Sequence, residues 1–199
     1  MKDKGFTIVE LLVVIVIVSL FIIIVISNFP QIRLQFALSR VAYKFNQDLR
    51  RAQNLASSTV QFKDSLGTIQ SVNGYGVYVD MDALGNKKYI IYADKPTGST
   101  TINAITYPTS NQYYDNADYS VETIDLSITE PGIIIKEIDT PTTSSSIGVN
   151  FNSSDLATTI EIPQLLATKN SVDIVFAIQT DPTKTKTVSV NHSGSIVIK

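Results

Sequence analysis

Few residues in this 199-residue chain have the type and spacing for chemistry. Cysteine is absent and His192 is the only histidine, so neither a Cys-His nucleophile pair nor a multi-histidine zinc site can be built within one chain. No G-x-S-x-G elbow, phosphate loop or dinucleotide fingerprint occurs. His192 stands beside Ser193 and Gly194 and reads as a turn residue. Asp80, Asp82 and Gly85 have the spacing of the first half of a calcium loop. Leu84 and Ile91, however, occupy the places of the third oxygen ligand and the bidentate glutamate, so a plain turn is expected. The remaining carboxylates are scattered, with one exception. Glu10 lies one helical turn inside an apolar run, where a carboxylate is costly to desolvate and calls for a partner. What such a group can do is neutralise a cation. No catalytic residue, cofactor or metal is expected.

The element that positions Glu10 is the apolar run itself. From residue 11 to residue 26 every side chain but Ser19 is apolar. A helix over residues 6–29 would be roughly 36 Å long, enough to cross a hydrocarbon core of about 30 Å. Lys2 and Lys4 precede the run, which places the amino terminus on the cytoplasmic side and the rest of the chain outside. A secretory signal has a shorter core and a small-residue cleavage site, and Ser27-Asn28-Phe29-Pro30 lacks that pattern. Gly5 before Phe6 supplies a flexible, extended backbone of the kind a protease binds.

The phrase Lys4-Gly5-Phe6-Thr7-Ile8-Val9-Glu10-Leu11-Leu12 resembles the leader and first helix of type IV prepilins and type II secretion pseudopilins. The resemblance implies cutting after Gly5 by the membrane-embedded prepilin peptidase, which also methylates the new amino terminus on Phe6. Glu10 matches the family glutamate. A physical reason can be given for it: the freed amine of Phe6 in one subunit is a cation that Glu10 of a neighbour can neutralise. Opposite charges a few ångströms apart attract far more strongly in low dielectric than in water, so the pair favours assembly. The resemblance implies further partners: sister pilins or pseudopilins, an inner-membrane platform protein and an assembly ATPase, besides membrane lipid.

Length and charge bound the rest. A leader of residues 1–5, a membrane or filament-core helix of residues 6–29 and an amphipathic continuation of residues 30–57 leave residues 58–199 for one β-rich head outside the cytoplasm. The net charge is −2, and removal of Lys2, Asp3 and Lys4 leaves 14 basic and 17 acidic side chains, or −3. No broad attraction to nucleic acid follows. Without cysteine the head must be held by packing and hydrogen bonds alone.

Pro30 removes a backbone donor and predicts a kink, not a stop. Beyond it Leu34, Leu38, Val41, Phe45, Leu49, Ala52 and Ala56 recur at helical spacing, a stripe on which a sheet should fold. Lys44 and Asp48 can pair one turn apart, while Arg33, Arg40, Arg50 and Arg51 read as a solvated face. From residue 58 the period becomes strand-like. Strands are predicted at 74–80 and 87–93 around a hairpin, at 120–129 and 132–138 around Glu130-Pro131-Gly132, and at 147–151, 157–162, 172–180, 184–191 and 195–199. Residues 97–101, 111–118 and 140–146 read as polar turns or a flexible loop. Asn152 and Asn191 head tripeptides of glycosylation type. The run from residue 111 to 139 is acidic, with Asp115, Asp118, Glu122, Asp125, Glu130, Glu137 and Asp139 against Lys136 alone.

The expected fold is therefore α+β: a long, kinked amino-terminal helix whose second half packs on an antiparallel sheet, as in pilins. The helix from Tyr43 through Ser57 and the terminal strands are similar to those of H-type minor pseudopilins. The function expected is that of a non-enzymatic structural subunit of a type IV pilus or secretion pseudopilus. Two alternatives are a DNA-capturing minor pilin, using Lys184, Lys186 and Lys199, and a simply anchored adhesin.

Overall fold

The computed structural model describes residues 7–58, 60–63, 66–96, 98–102, 105–109, 114–115, 117–140, 142–155, 157–162 and 167–199. The chain opens with α1, Ile8–Ser57, whose 50 residues span about 75 Å. Two short strands follow, β1 (Phe62–Lys63) and β2 (Ile69–Gln70), then β3 (Gly74–Asp80) and β4 (Lys88–Asp94). Next come β5 (Gly98–Ile102), β6 (Ile105–Thr109), β7 (Tyr119–Asp125) and the one-turn helix α2 (Leu126–Thr129). The carboxy-terminal part supplies β8 (Ile133–Thr140), β9 (Thr142–Ser144), β10 (Ser146–Asn152), β11 (Thr158–Ile162) and β12 (Ala167–Lys169). It ends with β13 (Ser171–Ile178), β14 (Asp181–Asn191) and β15 (Ile196–Ile198).

These strands make two main sheets, both antiparallel. One has six strands in the order β12-β11-β10-β3-β4-β7, the other five in the order β15-β14-β13-β8-β9. The second half of α1 packs against strands of both. Its stripe is the reason: Leu38, Val41, Phe45, Leu49, Ala52 and Ala56 are all buried, joined by Ala37 and Ala42. Alternation brings the partners to the same side. Tyr75, Val77 and Val79 of β3, Ile147, Val149 and Phe151 of β10, and Ile174 and Phe176 of β13 enter one core with the helix. Phe45 is the meeting point, with its ring edge-on to Tyr89 of one sheet at 4.9 Å and to Phe176 of the other at 5.2 Å.

One polar device lies inside this interface. Asp48, on the buried stripe, accepts from Lys44 Nζ and from the hydroxyl of Tyr89, the latter at 2.7 Å. Burial, and then the Asp48 carboxylate, hold the Tyr89 hydroxyl protonated well above the ordinary tyrosine range. Arg33, Arg40, Arg50 and Arg51 of α1 are exposed, as read from sequence, and three of them also reach the head. Arg40 makes a two-point contact with Glu130, Arg51 pairs with Glu122, and Arg50 donates to the carbonyl of Ile196. Part of the acidic run thus finds its counter-charge on the helix.

Other departures have local causes. Residues 126–129 form α2 because Asp125 accepts from the Ser127 backbone N–H at 2.8 Å and starts a helical turn where a strand was predicted to continue. Polar residues 98–101 belong to β5, which pairs with β6, and residues 142–144 form β9 against β8; pairing with a neighbouring strand overrode composition in both. The 74–80 and 87–93 hairpin, by contrast, forms as predicted. Asp80 spends its oxygens on the Asp82 and Ala83 backbone and on the Tyr78 hydroxyl, with Gly85 at φ 72°. Asn152 and Asn191 likewise accept from their own turns, through Ser154 and Ser195.

The far face of the six-stranded sheet carries a second, smaller cluster. Tyr92 lies over Gly76, where a Cβ would stand 2.6 Å from its ring, and Tyr114 stacks on Tyr78 at 4.7 Å. At its rim Asp118 accepts from the backbone N–H of Lys95 and of Asp115. Burial outweighs these two bonds and, with Asp94 and Asp115 near, pushes the Asp118 carboxyl up to about 6.

Two outcomes are expected. Tyr89→Phe should cost about 1–2 kcal/mol and Asp48→Ala about 3 kcal/mol, with the double variant well short of the sum, since each single change orphans a buried group. Denaturant titrations of the four chains measure this coupling. Because Asp118 holds its proton more tightly folded than unfolded, its contribution favours the fold below about pH 4 and is lost as pH rises through about 6. A carboxyl-carbon NMR titration of Asp118 should show a midpoint near 6, above that of an exposed aspartate.

Candidate assembly segment

The first half of α1 stands clear of the head. Every residue from 8 to 26 is exposed, in an arrangement that leaves apolar side chains on all sides of the helix. Such a surface has no stable place in water and is the mark of a helix meant for lipid or for a bundle. This is the one helix among the described residues long and apolar enough to cross a membrane. From residue 11 to residue 26 the one polar side chain is neutralised internally, since Ser19 Oγ donates to the Ile15 carbonyl at 2.8 Å.

Glu10 sits in the first turn. Thr7 caps the helix: its Oγ1 accepts from the Glu10 backbone N–H, while Glu10 Oε2 accepts from the Thr7 backbone N–H and from Thr7 Oγ1, each at 3.2 Å. This is a capping box, and the carboxylate also faces the positive end of the helix dipole. The partner that sequence reasoning sought for Glu10 thus begins with Thr7 of the same chain. Thr7-x-x-Glu10 spacing is a sign that could have been read directly from sequence. The box holds the carboxylate at the tip of the helix rather than part-way along it, and leaves it exposed in the single chain. It can still receive a cation.

Gly5 and Phe6, the expected cut site and new terminus, lie outside the described residues. Pro30 lies inside α1, which runs through it without a break. The proline offers no N–H to the carbonyl one turn back, and the helix continues because that single bond is a small fraction of the ladder. The head first meets α1 just beyond: Gly132, at φ 97°, lies so close to Leu34 that a Cβ there would come within 2.9 Å of Cδ2.

The three lysines of the carboxy-terminal hairpin do not act as one patch. Lys199 Nζ is paired with Asp173 at 2.9 Å, which leaves Lys184 and Lys186 on β14. No group of three or more His, Cys, Asp or Glu side chains arranged to hold a metal ion occurs among the described residues.

Comparison with known protein families gives a match on this segment. Residues 1–26 match the family described as the prokaryotic N-terminal methylation motif. No curated protein and no solved structure matches the chain. The match spans the leader, Glu10 and nearly the whole exposed apolar run, and stops short of the half of α1 that packs on the head.

Proposed function

We propose that this protein is a structural subunit of a type IV pilus or type II secretion pseudopilus. It is stored in the cytoplasmic membrane with its head outside, cut after Gly5 by prepilin peptidase and methylated on Phe6. It then joins a filament through its amino-terminal helix. The observation that carries this reading is the exposed apolar half of α1, opened by a methylation motif and bearing one carboxylate at its tip. The apolar surface is covered by lipid before assembly and by neighbouring helices after it. Glu10 exchanges its contact with Thr7 for the charged amine of a neighbour, which sets register along the filament. Pro30 supplies a bend between the bundled half and the half that carries the head.

Within the family, the helix of residues 43–57 and the closing hairpin of β14 and β15 across Gly194 favour the H-type minor group. An assembly ATPase and a membrane platform protein would act on such a subunit indirectly. The extracytoplasmic filament is where it ends.

Mass spectrometry of the chain recovered from its host tests the processing step. A mass beginning at Phe6 with one added methyl is expected; an active chain that keeps Met1 through Gly5 would refute the reading. Glu10→Ala should insert and be processed normally, yet enter sheared filaments on the order of a hundredfold less, as for a buried ion pair that has lost one partner. Unchanged display and function in that variant would point instead to a simply anchored adhesin.

A further inference from the structure

Between Glu10 and Arg33, α1 carries no charged side chain. Those 23 steps rise roughly 34 Å, close to a hydrocarbon core of about 30 Å plus the first part of the headgroup layer. With Glu10 held at the cytoplasmic boundary by its cap, Arg33 falls at the phosphate level of the opposite leaflet. Unlike Arg40 and Arg51, Arg33 has no ion-pair partner among the described residues.

The head follows without a spacer. Leu34 is already against Gly132, and Pro131 shares the neck with Pro30 and Arg33. The neck is also apolar on its free side, where Phe29, Ile32 and Phe36 are 55%, 46% and 64% exposed. Helical side chains lean toward the amino terminus, so the Phe36 ring covers the turn that precedes it and reaches back toward Arg33. An aromatic and basic belt at this depth is the composition that suits a headgroup layer.

We infer that, in the membrane-stored subunit, the head is seated directly on the outer leaflet, with Ile32 and Phe36 in the headgroup layer and Arg33 on lipid phosphate. This rests on the membrane-stored reading above and adds to it a specific contact surface and its partner, a phospholipid bilayer. The head therefore leaves the bilayer only when the helix is withdrawn, and that contact is broken at each assembly step.

The chain contains no tryptophan, so a single introduced one is a clean reporter. Phe36→Trp and Tyr43→Trp make a matched pair: both positions are exposed, 64% and 61%, on the same helix face, two turns apart. They differ by about 10 Å in height. Each full-length chain is placed at low protein density in vesicles of phosphatidylethanolamine and phosphatidylglycerol with brominated acyl chains, and flotation is scored separately. The Phe36→Trp chain should emit to the blue and lose roughly half its emission to the bromine, while the Tyr43→Trp chain should lose almost none. Adding Arg33→Glu to Phe36→Trp should remove most of the quenching. Flotation with neither reporter quenched would show a head held off the bilayer, and both quenched would show a chain lying flat; either result overturns the inference and leaves anchoring intact. Quenching that Arg33→Glu does not change overturns the phosphate contact. Chains that do not float overturn the inference and the membrane reading together.

Discussion

The head is organised by the ring of Phe45, which touches Tyr89 of the six-stranded sheet and Phe176 of the five-stranded sheet at once. Each sheet has an apolar face that needs cover, and a single helix stripe covers both. A sheet-on-sheet sandwich would have buried the same side chains without a helix. Here α1 is wedged into the core, so the element that carries the membrane segment is also the element without which the head has no interior. The amino-terminal half is joined to the core through one continuous helix.

Polar contacts refine that arrangement. Asp48 is the one charged side chain on the buried stripe, and it is tolerated because Lys44 and the Tyr89 hydroxyl satisfy it. Around the rim, Arg40 with Glu130 and Arg51 with Glu122 bind the helix to the strand and turn on either side of α2. Such exposed pairs add little stability. Their geometry fixes how the helix is rotated against the sheets, and so which face of α1 remains free.

The two halves of α1 obey opposite rules. In the first half every direction is apolar and exposed; in the second one stripe is apolar and buried. The change occurs near Pro30, within a turn of where Gly132 meets Leu34. Surroundings, not propensity, separate these halves: the same backbone helix carries an apolar surface open on every side below the neck and a stripe closed by a protein core above it. Glu10 belongs to the first half in position but to the aqueous boundary in chemistry, since its cap keeps the carboxylate at the helix end.

Much of this was legible in the sequence. The long apolar run, the place of Glu10 near its start, the stripe from Leu34 to Ala56 and most of the strands follow from periodicity and residue type, because they depend on local order along the chain. The missed pieces share a different cause. Residues 98–101 and 142–144 are strands only because a neighbour offers a ladder, and residues 126–129 turn helical because Asp125 caps them. The basic residues of α1 are exposed, as their spacing suggested, but nothing in that spacing shows that Glu122 and Glu130, 71 and 90 residues away, come to meet them. Sequence by itself determined that one end of this protein must leave water. Tertiary structure alone decided that a single helix stripe would fill two sheets, and how close to the apolar run the head would sit, since both depend on long-range pairings whose chain separation carries no periodic signal.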